Sequence, residues 1–194
     1  MGTDRPDPGL YPPDRTSRAA AAARDAGLAA LLLTPGPDLR YLTGYDAHQL
    51  ERLTCLVIPA AAAAGGPPAP AEPFLVVPRL ELPAAQASPA GGLGLEIIPW
   101  DETDDPYALV AGRLGGRDAA GPAGLSDRMW ALMVLRFRDA MPGVRQDLAS
   151  AALRGLRIRK TPAEVAALRA AGEAIDRVHA RVPGWLQAGR SRRS

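Results

Sequence analysis

The chain has 194 residues, 47% of them hydrophobic, and a formal net charge of +2. That is enough apolar material for one good core and a small second unit, while no basic stripe alternates with aromatics and no run is long enough to span a bilayer, which argues against nucleic-acid and membrane partners. Cys55 is the only cysteine, so an intrachain disulfide and a Cys-based zinc site are excluded.

Residues 1–16 are rich in Pro and Asp and read as an extended N-terminal arm. The opening MGTDRPDPGLYPPDR has no apolar leader, so the expected location is the cytoplasm. Ser17 stands where an N-cap would start a helix from Arg18 to Ala26, closed by Gly27. Leu28 to Thr34 is a continuous apolar run, the pattern of a central strand buried on both faces. Pro35-Gly36-Pro37 leads into a short turn or single helical turn at Asp38 to Tyr41. Leu42-Thr43-Gly44-Tyr45 reads as an extended segment broken by glycine, for a tight bend or a close backbone approach. A polar loop, Asp46 to Arg52, holds His48, Glu51 and Arg52. Leu53 to Ile58 is a second short strand, ended by Pro59, with Cys55 as a small core residue. The low-complexity stretch 60–72 joins it to a third strand at Phe74 to Val77 as a long hairpin.

A helix is expected over Arg79 to Gln86 and a strand over Leu95 to Ile98. The acidic run Asp101, Glu102, Asp104 and Asp105 precedes a helix from Pro106 to Leu114, whose first turn suits both proline and carboxylates. Ala123 to Ser126 is a short strand. Asp127 is expected to cap a helix to Ala140 with Trp130, Val134 and Phe137 at helical spacing. Val144 to Asp147 is a last short strand, Ala149 to Gly155 a short helix, and Arg157 to Lys160 a linker. Thr161 with Glu164 forms a capping box around Pro162, which opens a helix running to about Arg181. Alternating strands and helices predict an α/β sandwich.

Several of these pieces fall in a familiar order. Leu31-Leu32-Leu33-Thr34, then YLTGY from Tyr41 to Tyr45, then Glu51-Arg52, then LVIP from Leu56 to Pro59, resembles the N-terminal domain of the creatinase/prolidase (Xaa-Pro peptidase) family. Leu156-Arg157, Lys160-Thr161, Glu164-Val165 and Leu168-Arg169 match that family's junction pattern L-R-x-x-K-[ST]-x-x-E-[IV]-x-x-L-R-x-A. The resemblance implies a three-layer α/β/α sandwich with a mixed, ribonuclease-H-like sheet over residues 17–155. It makes residues 156–194 the linker and first helix of a truncated pita-bread catalytic domain.

The reaction so implied is hydrolysis of the peptide bond before proline, by a hydroxide bridging two Mn, Zn or Co ions. In the family those ions are held by two Asp, one His and two Glu, all downstream of the junction helix. This chain has no HExxH and no other ligand constellation. It is therefore expected to carry no metal and to be inactive alone, with a peptide as substrate of the whole enzyme. Creatine and other amides are also substrates of relatives. A homodimer, and a catalytic domain packed on residues 162–182, are the implied partners. The alternative is a non-enzymatic binding or assembly module, as in relatives that keep this architecture without peptidase chemistry, one of them in a histone chaperone.

Three residues are candidates for a substrate rim: Tyr45, His48 and Arg52. His48 either faces the mouth of a neighbouring active site or is a solvated loop histidine. Arg52 and Glu51 either orient a peptide carboxylate or dimer contact, or form a local ion pair. Tyr45 is either a core aromatic or part of the rim. The acidic run either attracts a hard cation or serves the helix start. His179 shares a helix face with Val165, Leu168, Gly172, Ile175 and Val182 and reads as a packing residue. Ser126-Asp127 has no nucleophile motif around it, and Arg190, Arg192 and Arg193 read as a solvated tail.

Overall fold

The computed structural model describes residues 8–60, 72–116, 121–186 and 189. Residues 1–7 of the expected arm, most of the low-complexity loop and the basic tail lie outside them. The chain divides into two compact units, Met1–Ile158 and Arg159–Ser194. The first unit contains α1 (Asp14–Asp25), β1 (Ala30–Leu33), α2 (Pro37–Thr43), β2 (Cys55–Pro59), β3 (Phe74–Pro78), α3 (Leu82–Ala87), β4 (Glu96–Trp100), α4 (Pro106–Arg113), β5 (Ala123–Leu125), α5 (Ala131–Ala140), β6 (Gln146–Leu148) and α6 (Ser150–Ile158). The second contains α7 (Pro162–His179) and α8 (Val182–Trp185).

The six strands form one mixed sheet in the order β4-β3-β2-β1-β5-β6. β2 runs antiparallel to β1 and β3, and the β3–β4, β1–β5 and β5–β6 pairs are parallel. The register sets Leu32 opposite Val57 and Leu56 opposite Leu75. β1, β2 and β3 are buried along their whole length, which explains why they read as unbroken apolar runs. Their side chains alternate between two cores, as the pleat requires. Leu31, Leu33, Leu56, Ile58, Leu75 and Val77 meet Ala19 and Ala23 of α1, Leu39 and Leu42 of α2, and Leu153 of α6. Leu32, Cys55, Val57, Phe74 and Val76 meet Val110 of α4 and Met133 and Phe137 of α5. Each Leu, Ile, Val, Phe or Met among them contributes roughly 1.5–3 kcal/mol by leaving water. The expected α/β sandwich with a mixed sheet is the architecture found.

Cys55 is fully buried, and burial pushes its thiol up to about 12. It is a core residue, as its setting among Leu and Val suggested. β4 lies at a sheet edge and carries Pro99, which cannot donate to a further strand. Arg113 ties that edge down: its guanidinium makes two 2.7 Å bonds to the Glu96 carboxylate and lies over the Phe74 ring.

Several local expectations need correction. The described part of the N-terminal arm is folded. Pro8–Leu10 forms a 3-10 turn and α1 already begins at Asp14. The cause is Arg15, only 3% exposed, whose guanidinium stacks 4.2 Å from the Tyr41 ring centre and 5.8 Å from that of Tyr11. Ser17 is thus inside the helix, donating its hydroxyl to the Asp14 carbonyl at 2.8 Å. Leu42 and Thr43 belong to α2, and Gly44 ends that helix in the left-handed region at φ 71°. Asp127 does not cap α5. Residues 126–129 make a turn, with the Met129 amide donating to the Ser126 carbonyl, and Asp127 accepts from the Ser150 amide at 3.2 Å instead. The α5 face is set by Met133 and Phe137, leaving Trp130 exposed. α6 runs on to Ile158, so half of the expected linker is helical. The capping box at Thr161 and Glu164 forms as anticipated.

Gly44 also meets the expectation of a close approach. A Cβ there would lie 2.7 Å from Pro89 and 2.9 Å from Tyr11, whereas one on Gly27, also at positive φ, would meet nothing. Gly44→Ala should therefore lower stability by about 1–3 kcal/mol, and Gly27→Ala by the smaller backbone cost of about 1 kcal/mol. Urea titration of the two variants checks this, and equal losses would mean that Pro89 and Tyr11 give way freely.

The surface ion pairs give an acid dependence. Hydrogen bonds from Arg113 and Arg79 hold the Glu96 and Asp101 carboxyls below their ordinary values. A lowered folded value means that the unfolded chain takes up these protons first. The pairs therefore stabilise at neutral pH, and their contribution fades as pH falls through the carboxylate range. A double variant with Glu96→Gln and Asp101→Asn should show a flatter loss of urea midpoint between pH 5 and about pH 3 than the parent chain.

Candidate functional site

Every strand except β2 points the same way, so five strand ends open on one edge of the sheet. The chain lays β2, β3 and β4 outward on one side of β1, then returns to place β5 and β6 on the other. That reversal puts a topological switch point between the ends of β1 and β5, the usual place for ligands in open α/β sheets. There the Thr34 amide donates to Ser126 Oγ at 3.0 Å and the Ser126 amide donates to the Leu32 carbonyl at 3.1 Å.

The loop between α2 and β2 reaches this same edge, because β2 starts where its neighbours end. Thr43 and Gly44 set its departure. The Thr43 hydroxyl donates to the Leu39 carbonyl at 2.8 Å and accepts the Tyr45 amide at 3.1 Å. At its middle, Gln49 donates to the Arg128 carbonyl in a long 3.4 Å contact. At its far end the Trp100 indole donates to the Leu53 carbonyl at 2.9 Å.

Arg52 sits between two carboxylates. Its Nη2 lies 3.3 Å from Glu81 Oε1 and its Nη1 lies 3.3 Å from Glu102 Oε1. The Thr54 hydroxyl donates to the other Glu81 oxygen at 3.4 Å. Tyr45 is 6% exposed, and burial first, then the Glu81 charge, raises its phenol above the ordinary value. Arg52 is thus held at Glu81, with the Tyr45 phenol near enough to feel that charge, while His48 stands exposed on the same loop. Glu51 is exposed as well, and Arg52 pairs across the sheet edge rather than with its chain neighbour. The local ion pair weighed from the sequence is replaced by a long-range one, because Glu81 and Glu102 follow the ends of β3 and β4. Both carboxylates were missed as loop partners. The available signal was their placement just after strands that end beside the start of β2.

The acidic run has ordinary employment. Asp101 takes two bonds from Arg79, one of them 2.7 Å, and Asp104 accepts the Asp101 amide at 2.8 Å. Asp105 accepts the Tyr107 and Ala108 amides at 2.9 and 3.1 Å and caps α4. The helix-start reading holds for Asp105. Among the described residues no group of three or more His, Cys, Asp or Glu side chains could hold a metal ion. The donors among the described residues do not fit a two-metal centre. In the second unit, none of the α7 side chains is buried, His179 included, so a packing role for His179 is not realised in this chain.

Comparison with known proteins agrees with this architecture. The model of the creatinase/prolidase N-terminal domain matches residues 15–159. The probable dipeptidase PepE of Mycobacterium tuberculosis is 49% identical over 191 residues, which is 98% of this chain and 48% of that protein. The crystal structure of dipeptidase PepE from Mycobacterium ulcerans superposes with a TM-score of 0.80 at 48% identity, covering 96% of this chain and 47% of that one. A prolidase from Thermococcus sibiricus shares the fold, with a TM-score of 0.74 at 23% identity over 91% of this chain and 45% of that one. The chain spans about half the length of the curated relatives it matches. With its mixed sheet, its loop at the sheet edge and these matches, the chain belongs to the creatinase/prolidase N-terminal domain family.

Proposed function

We propose that this chain serves as the non-catalytic N-terminal domain of an Xaa-Pro dipeptidase-like metallohydrolase. The observation that carries the reading is 49% identity along almost the whole chain to the matching half of a probable dipeptidase, in a chain whose described residues offer no metal-binding group. The metals, Mn, Zn or Co, and the hydroxide they activate would belong to the catalytic half of the longer relatives. What this domain's own residues supply is shape and contact. The loop from Asp46 to Arg52 would form part of the substrate rim, with His48 as its exposed polar group. Arg52 and Tyr45 would support that loop, since each is already engaged with or beside Glu81. A homodimer and cytoplasmic residence belong to the same reading.

The second unit supports a partner for α7. Val165, Leu168, Ile175 and Val178 are 42–60% exposed on one helix, and apolar stripes of this kind seek cover. The catalytic domain is the proposed cover for residues 162–182.

Two measurements test the proposal. The purified chain, given manganese and an Xaa-Pro dipeptide, should show no turnover, and steady hydrolysis by it would overturn the non-catalytic role. A chimera in which this chain replaces the matching half of a PepE dipeptidase should hydrolyse its substrate. His48→Ala in that chimera should lower kcat/KM by up to about tenfold, the worth of one lost polar contact, with the urea midpoint unchanged. An active chimera indifferent to His48→Ala would remove His48 from the rim.

A further inference from the structure

The two carboxylates that meet Arg52 are not equivalent. The Glu81 side chain is 20% exposed and that of Glu102 is 74% exposed, although both lie 3.3 Å from the guanidinium. Equal distances do not mean equal attraction. Water screens the Glu102 arm, while the Glu81 arm sits in a poorer dielectric beside Tyr45 and Arg52, itself 26% exposed. Glu81 also uses both oxygens, one for Arg52 and one for the Thr54 hydroxyl, so it holds the loop and the strand that follows with a single group. Glu102 uses one.

The loop's other polar tethers are its two ends and a weak middle, and Ala47 packs against the core that holds Leu39 and Leu42. Tyr45 and Leu53 are fixed by the Thr43 hydroxyl and the Trp100 indole. Between them stand the exposed Arg40–Asp46 pair at 3.2 Å and the 3.4 Å contact from Gln49. Among the described residues, Arg52 gives this stretch its largely buried charged anchor.

We infer that Glu81 is the positioning residue of the 46–52 loop. It holds Arg52 from the segment after β3 and so sets where His48 is presented, while Glu102 is an accessory. The placement of the loop follows from geometry in this chain. Only its consequence for a substrate rests on the rim reading above.

The test is backbone 15N relaxation on this chain at neutral pH, with amide exchange of the strands alongside. Glu81→Gln keeps the shape and removes the charge. It should lower the order parameters of residues 46–52, His48 included, from about 0.85 toward about 0.6. Glu102→Gln should leave them within about 0.1 of the parent values. Exchange in β1 and β2 should stay as in the parent chain in both. The inference fails if Glu81→Gln leaves the loop unaltered, if Glu102→Gln matches it, or if the strands accelerate in step with the loop. Should Glu81→Gln not fold, Glu81→Asp, which shortens the arm and keeps the charge, decides the matter: it should lower the same order parameters, and a loop as rigid as the parent's would overturn the assignment. None of these readouts depends on whether the chimera turns over a dipeptide.

Discussion

Burial of β1, β2 and β3 on both faces is the constraint from which the rest of the first unit follows. A sheet covered on two sides has no free face for a ligand. Its polar chemistry is driven to the ends of the strands, where backbone and side chains can still reach water. The two cores are built from alternate residues of the same strands, so a one-residue slip would exchange them completely. Such a scaffold is stiff, and its loops inherit well-defined starting points.

The reversed strand β2 gives the sheet edge its character. The five parallel strands would each leave a loop that turns back over a helix layer. An antiparallel strand in their midst instead brings its incoming loop across the edge where the others finish. That is why Arg52, near the start of β2, finds carboxylates from the ends of β3 and β4 although they lie 29 and 50 residues away. The contact is a property of topology before it is a property of the side chains. It also explains why the Arg52 guanidinium is already occupied by two carboxylates.

The strands and the junction helix were legible in the sequence for opposite reasons. Leu31 to Leu33 and Leu56 to Ile58 announce themselves because full burial leaves no polar positions. Thr161 and Glu164 announce themselves because a capping box is a contact four residues wide. What was not legible depends on distant partners. Asp127 looked like a cap until Ser150, far along the chain, supplied its donor. Ser17 looked like a helix start until Arg15 was drawn between Tyr11 and Tyr41. For Arg52 the sequence left open a peptide carboxylate, a dimer contact or an ion pair with its neighbour Glu51, and named neither Glu81 nor Glu102. Local pattern ranks nearby contacts first, and each of these residues was claimed from far away. The family was legible because it is carried by the order of several short motifs, none of which needs a three-dimensional neighbour to be read.

Tyr41 occupies a junction between the start and the finish of the first unit. Its ring and carbonyl receive Arg15 from the beginning of α1, and its hydroxyl donates to the Leu156 carbonyl at the end of α6. Beside it, Arg157 reaches Asp38 on the same short helix at 2.8 Å. The two ends of this unit are therefore moored to one post in the helix layer, away from the β-ladder. Mechanical load applied between residues 14 and 158 would fall first on that mooring, and the strands would bear tension only after it had parted.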